Sequence, residues 1–185
     1  MSYGIMAYSV DIGAVRAPAA STQDPEDFFE WMVGVHARLL DSENRRKAMR
    51  ELFFGEPFTG NEGSDYGYAL KVLCERFGGP LANSSWYPVG DRFFDTVGAA
   101  LDGIGVTFDP SDLAYSGPPI PLPRIDGFPG IGHLTAAEVA RLAQALDDAD
   151  LDLVKDPQVR VAIEELHQWM RHCVEAESEL VTFYH

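Results

Sequence analysis

A chain of 185 residues, 46% hydrophobic and 23% charged, suits one domain that buries its own core and needs no metal or disulfide to hold it. Its 29 acidic side chains against 14 basic ones leave a net charge of −15, which argues against the cation-rich surface that nucleic acid or an anionic membrane requires, favours solubility and leaves open a basic protein partner. No apolar run approaches the ~20 residues of a membrane-spanning helix, and the first ten residues lack the basic start and cleavage site of a signal peptide, so a cytoplasmic protein is expected.

Residues 3–10, YGIMAYSV, predict a strand. Residues 11–20 predict no more than a short helical turn, stopped at Pro18. Asp24-Pro25-Glu26-Asp27 is a helix start: a capping acid, a proline suited to the first position, and acids at the positive helix end. That helix is expected to run to Leu40, with Phe28, Met32, Val35 and Leu39 along a wide apolar stripe. A second helix over 42–54 turns Arg45, Arg46, Lys47 and Arg50 outward. A glycine-rich loop over 55–64 separates it from a third over 65–77, which Gly78-Gly79-Pro80 stops.

Residues 83–89, with Trp86 and Tyr87, are expected to be extended, and 91–101 helical. Asp109-Pro110 predicts a short helix to Tyr115. The segment 117–132, GPPIPLPRIDGFPGIG, holds five prolines and four glycines in 16 residues. Its Ile120, Leu122, Ile125, Phe128 and Ile131 are too apolar for a free linker, so an ordered crossing loop pinned to the core is expected. Thr135-x-x-Glu138 is a capping box, and Asp156-Pro157 starts a last helix with Val159, Ile163, Leu166, Met170 and Cys173 in register. Residues 179–184 predict a closing strand. The expected architecture is therefore one α+β domain over 1–185: a small sheet that includes both terminal strands and pairs them, with five or six helices packed on it, most of them on one side.

Chemistry is sparse. Cys74 and Cys173 lie in apolar stretches and are expected to be reduced, buried thiols. His167 and His172 point about 140° apart on a helix and do not converge on one ion. His133 follows Gly130-Ile131-Gly132 and is either a general base or ligand-binding group in the Pro/Gly loop, or an imidazole bonded to loop backbone. Arg124 and Asp126 either recognise a polar ligand or pair with each other. Trp86 and Tyr87 either wall a pocket or belong to the core. Gly127-x-x-Gly130-x-Gly132 precedes a helix but has neither GxGxxG spacing nor a following lysine. No GxSxG, HExxH, CxxC or EF-hand pattern occurs, and no catalytic residue, metal ligand or cofactor is assigned.

The opening MSYGIMAYSVD, the central YGYALKVLCERFG, the segment PIPLPRIDGFPGIGHLTAAEVA and the ending ELVTFYH resemble a bacterial family described as a domain of unknown function, more distantly similar to the YfbM-like proteins. The resemblance implies a single α+β domain and carries over no catalytic residue. Some YfbM-like relatives look like immunity proteins of toxin systems. The expected function is a non-enzymatic acidic binding protein, of immunity type, for a basic protein partner. The alternative is a small-molecule binder or enzyme that uses Arg124, Asp126 and His133 beside Trp86 or Tyr87.

Overall fold

The computed structural model describes residues 3–60 and 62–185. Met1 and Ser2 of the opening stretch, and Asn61 of the glycine-rich loop, lie outside the described residues. Four strands, β1 (Ile5–Val10), β2 (Gly78–Pro80), β3 (Gly130–Leu134) and β4 (Glu179–Tyr184), form one antiparallel sheet in the order β2-β1-β4-β3. The two terminal strands lie side by side in its middle, with Ile5 opposite Tyr184 and Val10 opposite Glu179. All their residues are buried except Met6 and Glu179.

Strands so apolar need cover on both faces. Helices α1 (Ile12–Arg16), α2 (Pro25–Val35), α3 (Glu43–Phe54) and α4 (Gly63–Phe77) pack on the face that carries Tyr8, Val10, Ile131, Val181 and Phe183. Helices α5 (Asp91–Gly103), α6 (Asp112–Tyr115), α7 (Ala136–Asp147) and α8 (Pro157–Glu175) pack on the face that carries Ile5, Ala7, Leu134, Leu180 and Tyr184. The chain's first part thus covers one face and its second part the other. This corrects the expectation that most helices share one side. The helices that run eleven residues or more are α2, α3, α4, α5, α7 and α8, while α1 and α6 have five and four residues.

The capping chemistry is largely as the residues dictate. Ser42 accepts from the Arg45 amide, Thr135 and Glu138 close both halves of the capping box, and Asp156 accepts from the Gln158 and Val159 amides. Gly55, at φ 67°, ends α3 in the left-handed conformation glycine favours. Helix α2 begins at Pro25 but stops at Val35, short of the expected Leu40. A turn on the His36 carbonyl brings Leu40 into the core and leaves Val35 exposed.

Residues 84–88 form turns, not the extended run expected, because they wrap the buried carboxylate of Glu165. Its Oε1 accepts from the Ser84 amide and hydroxyl, both at 3.1 Å, and its Oε2 from the Ser85 amide at 2.7 Å. The Pro/Gly segment is pinned to the α1–α4 side by Ile120, Leu122 and Ile125, and its end becomes β3. A side chain at Gly132 would run into the backbone of Asp112 and Leu113, so this glycine lets α6 sit directly on β3. Both edges of the sheet are blunted. β2 is three residues long and ends in Pro80. The outer edge of β3 is occupied by the Gly117 amide, bonded to the Ile131 carbonyl, and by Ser116 Oγ, bonded to the His133 amide.

Candidate functional site

The five residues singled out in the sequence occupy different places. Arg124 and Asp126 are 88% and 76% exposed and pair with each other, Nε to Oδ1 at 2.8 Å. His133 is in β3, and its Nε2 lies 2.5 Å from Glu179 Oε2 on the neighbouring strand. Trp86 is fully buried, donates from Nε1 to the Ala162 carbonyl at 3.0 Å, and packs on Trp169, Phe93 and Phe94. Tyr87 is 43% exposed and lines a cavity of about 560 Å³ with Ser84, Ser85, Phe93, Gln158 and Val161. Arg124 lines a different, smaller cavity formed by the Pro/Gly segment. The structure joins Arg124 to Asp126 and leaves the others apart.

A convergent ionic set lies elsewhere, beneath α4. Glu75 is its hub. Its Oε1 accepts from the Tyr8 hydroxyl at 2.9 Å and pairs with Lys71 Nζ, and its Oε2 lies 3.2 Å from His36 Nδ1. Burial, and then the Glu75 charge, push the Tyr8 hydroxyl well above its ordinary pKa, so it stays a donor. Burial and then Lys71 push the His185 imidazole down, against the pull of Glu75. Every oxygen of this carboxylate has a donor or cation beside it. The hub ties α4 to β1 and to the turn after α2. Cys74 and Cys173 are both free and buried, and burial raises both thiol pKa values, which makes them poor nucleophiles. Among the described residues no group of three or more His, Cys, Asp or Glu side chains is placed to hold a metal ion.

Carboxylates are arranged in the opposite way between α6 and α7. A cleft of about 610 Å³ opens there, with Phe108, Leu134, Leu142 and Ala145 as its apolar part and Asp109, Asp112, Glu138 and Arg141 as its charged part. Glu138 Oε2 is engaged by the Thr135 amide and hydroxyl, and Asp109 Oδ1 by the Ser111 amide. Those bonds to Thr135, helped by Arg141, hold the Glu138 carboxyl below the usual range. The Asp112 carboxylate makes no hydrogen bond or ion pair among the described residues. Burial, and then Asp109 and Glu138, push its carboxyl above the usual range. Glu138 closes the capping box that the sequence predicts, whereas Asp109 holds the Ser111 amide in the turn before α6, whose N-cap is Ser111 and makes no side-chain capping bond. Their meeting with Asp112 depends on α6 lying against β3 and α7, and no local pattern announces it.

The fold and these sites define a three-layered α+β protein in which an antiparallel sheet is covered by helices on both faces. The chain belongs to the family described as a domain of unknown function, DUF7691, whose model matches residues 1–185. No curated protein and no solved structure matches it. No described helix is long and apolar enough to cross a membrane.

Proposed function

We propose that this chain is a non-enzymatic binding protein of the bacterial cytoplasm whose acidic surface captures a basic protein, and that the partner is a toxin it neutralises. The observation that carries this reading is how the chain uses its cations. Arg45, Arg50, Lys71, Arg124, Arg160 and Arg171 each pair with a carboxylate of the same chain. With 29 acids to 14 bases, these pairings leave many carboxylates at the surface with no cation of their own. A field of one sign speeds the encounter with an oppositely charged protein and suppresses acidic competitors. The YfbM-like resemblance, with its immunity-type relatives, points the same way.

The test is rescue and kinetics together. Basic proteins encoded beside this gene are expressed with and without it, and association of the purified pair is followed across salt concentrations. The expected result is rescue of growth and an association rate that falls by about tenfold or more from low to high salt. Failure of every neighbour-encoded basic protein to bind, or binding indifferent to salt, contradicts the proposal.

A further inference from the structure

We infer that the cleft between α6 and α7 is the docking site for a protruding segment of the partner, an arginine or lysine flanked by apolar side chains. The inference rests on the proposed reading of a basic partner and gives it a place. The cleft volume, about 610 Å³, lies in the range of sites that enclose a side chain or small ligand. Its apolar lining, with Leu134 and Leu142 almost fully buried and Phe108 and Ala145 half-buried, suits the aliphatic stem of a long basic side chain and its apolar neighbours. Asp109, Asp112 and Glu138 come to it from the loop before α6, from α6 and from α7, which suits the head group. Arg141 lines the same cleft, so a single cation fits better than a run of them.

Asp112 sharpens the argument. Asp109 holds the Ser111 amide and Glu138 closes the capping box with Thr135, whereas the Asp112 side chain makes no such bond among the described residues. A charge disfavoured by its surroundings and unused by the fold lowers stability, and such residues are typical of binding sites. The cavity beside Tyr87 offers a contrast: its lining holds hydroxyl, amide and apolar groups but no charged side chain, so it has no comparable complementarity.

The probe is a set of capped tripeptides, Leu-Arg-Leu, Leu-Lys-Leu, Leu-citrulline-Leu and Leu-Glu-Leu, titrated into the full-length ¹⁵N-labelled protein and followed by amide chemical shifts. The arginine and lysine peptides are expected to shift residues 105–112 and 138–145, and the citrulline and glutamate peptides to leave them still. Asp112→Asn, which keeps the side-chain shape, is expected to weaken the cationic peptides about tenfold, while Asp126→Asn, on the exposed Pro/Gly segment, changes nothing. Cationic shifts centred on another surface, or cleft shifts untouched by Asp112→Asn, overturn the cleft assignment and leave the basic-partner reading standing. No response to any cationic peptide at low salt overturns the cleft assignment as well.

Discussion

Glu75 and Asp112 are both carboxylates on helices that pack on the sheet, and they sit in opposite electrostatic settings. Glu75 is ringed by Lys71, Tyr8 and His36. Asp112 faces Asp109 and Glu138 with no bond of its own among the described residues. Partnered charge in the first case holds elements together, and unpartnered charge in the second does nothing for the fold. A protein with a large acid surplus can satisfy the carboxylates its architecture needs and leave the rest for association.

Removing Glu75 should have the largest effect. Glu75→Leu leaves Lys71, whose side chain is 7% exposed, without its counter-charge, and is expected to destabilise the fold by about 3 kcal/mol in chemical denaturation. Lys71→Met added to it should recover part of the loss; if the two losses simply add, the pair is not coupled. Glu51 supplies the next largest effect. Burial raises its carboxyl pKa, but bonds from the Thr59 hydroxyl and amide and from the Tyr66 hydroxyl outweigh burial and hold it below the usual range. Glu51→Gln is expected to lose about 2 kcal/mol at neutral pH. Because the folded pKa is depressed, the stability Glu51 contributes is present above the ordinary glutamate value and lost as pH falls through the folded one. The variant should lack that part of the acid unfolding profile.

Asp112→Asn should move stability the other way. Its folded pKa is raised, so ionised Asp112 weakens the fold above that value and has no effect below the ordinary aspartate value. The variant is therefore expected to melt slightly higher at neutral pH, with the gain vanishing in acid. An unchanged or lower melting temperature would erase the contrast with Glu75. Arg124→Ala, which breaks a solvent-exposed pair, should change stability by less than about 0.5 kcal/mol.

Much of the fold was legible in local chemistry. Apolar runs marked both terminal strands, and Pro25, Thr135-Glu138 and Asp156-Pro157 marked helix starts. The cover on both faces went against the expectation of helices mostly on one side; the overlooked signal was that Ile5, Met6, Ala7 and Tyr8 do not alternate with polar residues as a one-sided strand would. β2 and β3 were hidden because glycine and proline, poor strand formers, compose much of them, and their pairing comes from the neighbours they meet. The ionic hub was hidden by distance: Tyr8 and Glu75 are 67 residues apart. The local hint was Lys71 and Glu75, spaced i,i+4 within an otherwise apolar helix. The acid cleft was hidden because Asp109 and Glu138 each have a local role, and a residue with a sufficient local role invites no second one.

Site-resolved titration of the Asp112 side chain by carboxyl ¹³C NMR, in the wild type and in Asp109→Asn, tests most directly whether the cleft lacks a counter-charge. The account predicts a wild-type pKa above that of an ordinary aspartate, falling toward it when the Asp109 charge is removed. A value at or below the ordinary one, unmoved by that substitution, would mean that a cation of the chain already serves Asp112, and the distinction between the two carboxylate sites would be lost.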